Sequence, residues 1–230
     1  MRWQINLAML ILPSALLAGA VMARPGDVPT GATAPKSAAP GLEVRRFGAI
    51  GVAEGLKAWD SIHAVLSHPR CQSCHVDERG VPLWSGAYFG GTRAHAMNVR
   101  GGKSRTGEET LPCATCHRVS NRPNRIPHAP PHAGIEWKLA PVEFTWVGRT
   151  SAQICRQLRD PRRNGGRDGA GLIEHIVHDH DVNGFIRWGF DPGPGREKPP
   201  GSLQSHLDDT GRWVAAGMPC PDERGAAPAG

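Results

Sequence analysis

Apolar residues recur at helical spacing in four stretches of the chain, and no stretch shows a strong alternating pattern. Over residues 55–68, Leu56, Trp59, Ile62 and Leu66 fall three or four apart, flanked by Ala58 and Val65, and Pro69 follows. That spacing predicts a half-buried helix ended by the proline. Residues 151–160 offer Thr150 or Ser151 as N-cap and Pro161 as a stop. Residues 171–180 set Leu172, Ile176 and Asp179 on one side, with Ile173 and Val177 beside them. Residues 202–216 predict a helix that starts at Ser202, buries Leu203, Leu207 and Trp213, and ends at Gly217. Between these lie irregular segments. Residues 77–110 are rich in glycine and charge, 121–141 hold five prolines, and 191–196 read as a turn. The expected fold class is mostly α with extensive loops and few or no strands.

The first residues change the picture. Arg2 precedes an apolar run over residues 5–17, and small residues follow at Ala18-Gly19-Ala20 and Val21-Met22-Ala23. This is the pattern of a cleavable export signal over residues 1–23, cut after Ala23 or, second, after Ala20. An uncleaved anchor is the alternative, although the run is short for a span and contains Pro13. Residues 24–41 are a Pro/Ala-rich linker. The folded domain is expected over 42–225, with one functional segment at 55–120 and a helical C-terminal half at 142–221.

Composition narrows the function. Aromatics make up only 6% of a chain with 29 Gly and 21 Pro, so the apolar bulk for a core is scarce and a buried cofactor would supply some of it. The formal charge of +6 forms no basic stripe interleaved with aromatics, so nucleic-acid binding is not read from it. No stable membrane insertion is expected once the signal is removed.

One short motif occurs twice: Cys71-Gln-Ser-Cys74-His75 and Cys113-Ala-Thr-Cys116-His117. Two cysteines three apart can add to the two vinyl groups of one haem, which carries the following histidine beneath the iron. The reading is therefore two haem c groups bound covalently through Cys71, Cys74, Cys113 and Cys116. His75 and His117 are the proximal iron ligands, and the predicted fold becomes that of a dihaem c-type cytochrome. A zinc ribbon competes, but the gap between the cysteine pairs is longer than usual and a ribbon gives no role to the two histidines. A thioredoxin-like centre would need a βαβ context that the pattern lacks. Cys155 and Cys220 remain as a candidate disulfide in an oxidising compartment.

Each iron has a sixth position. The leading candidates are His95, between the motifs, and His175, bordering the apolar side of its predicted helix. His63 and His68 precede the first motif. His128, His132, His178, His180, His206 and Met97 are further possibilities, with His178 and His180 expected at the solvated surface. Met218 before Pro219 is similar to the Met-Pro of small monohaem cytochromes. Arg93, Arg100 and Arg105 could pair with haem propionates.

The two motifs, with Asn98-Val-Arg-Gly101, Trp188-Gly-Phe190, Pro192-Gly-Pro-Gly-Arg196 and Met218-Pro-Cys-Pro221, resemble a family of exported dihaem c-type cytochrome-like proteins. Some members are labelled as a subunit of isoquinoline 1-oxidoreductase. The resemblance implies a periplasmic electron carrier, rather than a catalyst, that serves an oxidoreductase. That partner would be a molybdenum hydroxylase or a respiratory-chain component. A dihaem peroxidase-like enzyme or a haem-based sensor with an open axial site is the alternative.

Overall fold

Helices form where the apolar spacing demands them. The computed structural model describes residues 41–221, so the expected export signal and nearly all of the expected linker lie outside the described residues. Helix α1 (Val52–Leu66) buries Leu56, Ala58, Trp59, Ile62, Val65 and Leu66, the face that the spacing picks out. Pro69 does more than end it. It opens a single-turn helix α2 (Pro69–Gln72) at a position where the missing N–H costs nothing. The His68 ring caps that turn, its Nδ1 accepting from Arg70 N–H at 3.1 Å.

Strand β1 (Leu83–Trp84) pairs antiparallel with β2 (Arg93–Ala94), with Leu83 opposite Ala94 and Trp84 opposite Arg93. This is the one sheet among the described residues, so the molecule is mostly helix and loop. Helix α3 (Ser151–Arg159) begins at a capping box of Thr150 and Gln153. Helix α4 (Gly169–Asp181) is capped by Asp168 and starts ahead of the predicted residue 171.

The short helix α5 (Phe185–Phe190) has no counterpart in the periodicity reading. Its N-cap, Gly184, supplies no side chain. The carboxylate of Asp179 on α4 accepts from Arg187 N–H at 2.9 Å instead. A β-carbon at Gly184 would collide with that carboxylate, so glycine is required there. Helix α6 (Leu203–Ala215) starts at a capping box of Ser202 and Ser205 and buries Leu203, Leu207 and Trp213.

The main core joins the two ends of the described chain. Trp59 and Trp213 are fully buried with ring centres 5.1 Å apart, surrounded by Ala58, Ile62, Leu66, Trp146, Ile154, Cys155 and Cys220. Both indoles are satisfied: Trp59 donates to Ser151 Oγ at 2.8 Å and Trp213 to Pro219 O at 2.9 Å. Close approach of α1 to α6 depends on Gly55, where a β-carbon would strike Ala216 and Pro219. Cys155 and Cys220 are bonded within this core, their Cα atoms 5.7 Å apart. A second cluster gathers Ala133, Trp137 and Trp188. A third holds Ile176, Leu203 and Leu207. Among the described residues no helix is long and apolar enough to cross a membrane.

Two predictions arise from this core. The disulfide spans 65 residues of sequence, so replacing Cys155 and Cys220 together by alanine should lower the unfolding free energy by roughly 4 kcal/mol, read by guanidinium denaturation without reductant. His206 is buried with its Nδ1 unpartnered, and burial pushes its pKa down to about 4. The unfolded chain binds a proton here that the fold refuses, so stability is lost as pH falls from about 6.5 to about 4. His206→Leu should flatten that acid limb by on the order of 3 kcal/mol without destabilising the protein at pH 7. An unchanged acid limb would place the titration elsewhere.

Candidate functional site

Both C-x-x-C-H motifs sit on a single helical turn. His75 N–H donates to Cys71 O at 3.2 Å and His117 N–H to Cys113 O at 2.8 Å, which sets the two cysteines and the histidine around one short arc. Cys71, Cys74, Cys113 and Cys116 are free thiols. Burial pushes Cys71 up to about 12 and Cys74 up to about 11. Among the described residues no group of three or more His, Cys, Asp or Glu side chains is placed to hold a bare metal ion.

The two histidines are held in the same way. His75 Nδ1 lies 2.8 Å from Phe144 O, and His117 Nδ1 lies 2.8 Å from Pro131 O. A carbonyl oxygen only accepts, so both protons are on Nδ1 and both Nε2 atoms carry free lone pairs. Each ring lies on an indole. His75 stacks on Trp146 with centres 3.4 Å apart and planes 4° apart, and His117 stacks on Trp137 at 4.6 Å and 15°. Burial drives His75 down to about 4 against the pull of the Phe144 carbonyl. It also lowers His117, where the Pro131 carbonyl opposes it and His95 and Arg196 add to it. Both rings are thus neutral at physiological pH, the state a metal-ligating imidazole needs.

The backbone repeats the arrangement around the first motif. Trp146 N–H donates to His75 O at 3.0 Å and Ala140 N–H to Cys74 O at 3.3 Å. Trp146 Nε1 donates to Gln157 Oε1 at 3.0 Å, and the Gln157 amide donates to Glu143 O. At the second motif, Ser120 N–H donates to Ala133 O at 2.7 Å and Cys113 N–H to Thr106 O at 2.8 Å.

The distal candidates separate clearly. The His95 and His117 rings have centres 6.3 Å apart and planes tilted by 57°. His95 Nδ1 donates to Ala96 O at 2.8 Å, leaving Nε2 free in the same tautomer as the two motif histidines. It also lines a cleft of about 320 Å³ walled by Val76, Val81, Leu83, Val99 and Val147, with Asp77, Arg79 and Arg100 contributing charge. His175, exposed on α4, lies close enough to His75 to push its pKa down. His68 is in the opposite tautomer, because its Nδ1 accepts, and it serves as a cap.

Met97 is exposed, and Met218 packs against the main core. His180, expected at the solvated surface, is 6% exposed. There α5 folds back over the end of α4, with Arg187 Nη1 donating to His180 O at 3.2 Å. His128 stacks on Tyr88 at 3.8 Å, and the Nδ1 atoms of His128 and His132 are buried without partners. Arg105 donates from Nε to Ala140 O at 2.9 Å, while its Nη2 is buried without a partner. Arg93 and Arg100 are exposed.

The two motifs are joined by a run of π contacts. Trp137 meets Trp188 at 5.1 Å, and the Arg70 guanidinium lies 5.3 Å over the Trp188 ring. Arg70 adjoins Cys71, and Cys113 is near enough to Cys74 to help raise its pKa. Sequence reasoning missed Trp137, Trp146 and the two carbonyls. His75 meets its carbonyl 69 residues along the chain and His117 meets its own 14 residues along, so no local pattern marks either pair.

Comparison with family models, with curated proteins and with solved structures returns no match to this chain.

The Gln157 side chain holds Trp146 against His75, which sets its replacement cost. Gln157→Leu leaves a buried indole N–H and the Glu143 carbonyl unpaired, and should cost about 1–3 kcal/mol of stability. Chemical denaturation measures it, and no loss would show the Gln157 bridge to be dispensable.

Proposed function

We propose that the chain is an exported, periplasmic electron carrier with two covalently attached haem c groups, a dihaem c-type cytochrome. The observation that carries this reading is the duplicated support of His75 and His117. Each has Nδ1–H bound to a backbone carbonyl at 2.8 Å, a ring stacked on a tryptophan, and a free Nε2 one residue after a pair of unbonded thiols. Metal-ligating histidines are oriented by such an outer hydrogen bond, which fixes the tautomer and raises the basicity of the ligating nitrogen.

The donor set fits haem. Cys71, Cys74, Cys113 and Cys116 would carry the thioether bonds. His75 and His117 would be proximal ligands. His95, at 6.3 Å from His117, would be the distal ligand of the second group, and His175 that of the first. The buried unpartnered Nη2 of Arg105 suits a haem carboxylate. Haem c supplies reversible one-electron chemistry when bound. The chain's part is to hold the imidazoles neutral and oriented; with His95 and His175 as the second ligands it would leave no open site on either iron, which would favour electron transfer over small-ligand chemistry. The partner is a periplasmic oxidoreductase, of the molybdenum hydroxylase or respiratory type that the sequence resemblance implies.

Expression in a periplasm with haem-maturation machinery tests the reading. The pyridine haemochrome should report two haem c per chain and the denatured mass should lack residues 1–23. The reduced protein should bind no carbon monoxide, and His95→Ala should bind it at one haem of the two. A chain that matures without haem, or that retains zinc instead, overturns the proposal.

A further inference from the structure

Among the described residues the four most exposed large apolar side chains are Ile126, Tyr88, Met97 and Val119, at 70%, 68%, 63% and 60% exposure. They are not scattered. Met97 lies two residues after His95 and Val119 two after His117, the pair whose ring centres are 6.3 Å apart. Ile126 lies two residues before His128, and Tyr88 stacks on His128 with centres 3.8 Å apart. Rings join these two groups. Tyr88 meets Phe89 at 5.1 Å, Phe89 meets Trp84 at 4.8 Å, and Trp84 meets His95 at 4.7 Å. A gathering of exposed apolar side chains, unlike one standing alone, marks a contact face. Both segments that carry it are held in place. Tyr88 sits in a single 3-10 turn (Ala87–Phe89) between β1 and β2. Residues 121–133 contain Pro123, Pro127, Pro130 and Pro131. The Asn124 amide closes that loop, donating to His132 O at 3.0 Å and accepting from His132 N–H at 3.0 Å. A face fixed before contact loses little entropy on binding.

The charge beside this face has one sign. Residues 110–135 carry Arg118, Arg122 and Arg125 and no aspartate or glutamate. All three arginines are exposed, and Arg118 and Arg125 directly precede Val119 and Ile126. The planar fork of arginine pairs with carboxylates in a bidentate manner. We infer that this face docks a redox partner protein that presents an apolar centre bordered by carboxylates, and that electrons cross there to or from the site of His95 and His117. The inference rests on the electron-carrier reading above. In the oxidising direction one electron leaves the reduced iron held by His117 and is taken up by the partner's one-electron acceptor. No atom or proton is transferred.

The test uses the full haem-loaded chain and plastocyanin in its Cu(II) form, a one-electron acceptor with an apolar patch and clustered carboxylates, in stopped flow. Haem content and both midpoint potentials are measured first, and every variant should keep them. Tyr88→Ser with Ile126→Ser should slow the bimolecular reaction about tenfold at low and at high ionic strength, a size that apolar anchors command. Arg122→Glu with Arg125→Glu should slow it about tenfold at low ionic strength only, because salt screens steering charges. Two control pairs make the same changes at exposed positions on the N-terminal segment and α1: Val44→Ser with Val52→Ser, and Arg46→Glu with Lys57→Glu. Each should change the rate less than about twofold, since distant charges are screened. Equal slowing by the control pairs means that only overall charge or polarity matters and overturns the docking face. Lost haem or a shifted potential in the Tyr88 and Ile126 pair means that those side chains cover the haem itself, and also overturns it. A chain without haem before any substitution defeats the electron-carrier reading, whereas a haem-loaded chain whose rate ignores both face pairs defeats the docking face alone.

Discussion

The neutral imidazoles of His75 and His117 carry their proton on Nδ1 and give it to a backbone carbonyl, and most of the site follows from that. His75 and His117 are withdrawn from water far enough that protonation is suppressed. An unsatisfied ring N–H at that depth would cost as much as a lost hydrogen bond. The chain meets the need with main-chain carbonyls, at Phe144 and Pro131. Loops after each motif must therefore return across it, and something must hold them there. In both cases a tryptophan in the returning loop lies flat on the histidine.

The two tryptophans are anchored differently. Trp146 belongs to the main core with Trp59, Trp213 and the Cys155–Cys220 bridge, and its N–H is fixed by Gln157. Trp137 belongs to a smaller cluster with Ala133 and Trp188. The first motif is therefore tied to the most protected part of the fold. The second depends on a satellite cluster, one of whose links to the first motif is the Arg70–Trp188 contact. Arg70 is itself 7% exposed and donates to Glu197 O at 3.3 Å, so the contact between the clusters is a buried charge on an aromatic face rather than aliphatic packing.

Much of this was legible in the sequence, and the remainder has identifiable causes. Helices α1, α3, α4 and α6 carry their signals within themselves, in apolar spacing and in the Thr150/Gln153 and Ser202/Ser205 caps. Helix α5 does not, because its capping carboxylate comes from Asp179 on another helix. For the same reason His180 read as a surface residue: what covers it lies beyond the Asn183-Gly184 turn. The cysteines and histidines of the motifs, and His95 between them, could be named from spacing and position. Their tautomers, the stacked indoles and the apolar face beside His95 and His117 could not, because each depends on residues distant in sequence that meet only after the chain has folded.

The pairing of α1 with α6 has a consequence for the order of events in time. These helices lie at opposite ends of the described chain yet make its most extensive helix–helix contact. Such a topology has high contact order, and its core cannot close until the last helix has emerged. A chain made from its N-terminus presents Cys71 and Cys74, then Cys113 and Cys116, well before α6 arrives. In that interval Cys71 and Cys74 are not yet buried, so the desolvation that raises their pKa in the closed form is missing. Thiol reactivity follows the thiolate fraction. Cys71 packs against the core that Trp213 of α6 completes, so its thiol is more reactive before α6 docks than after, and the position of the last helix acts as a timer on the first motif.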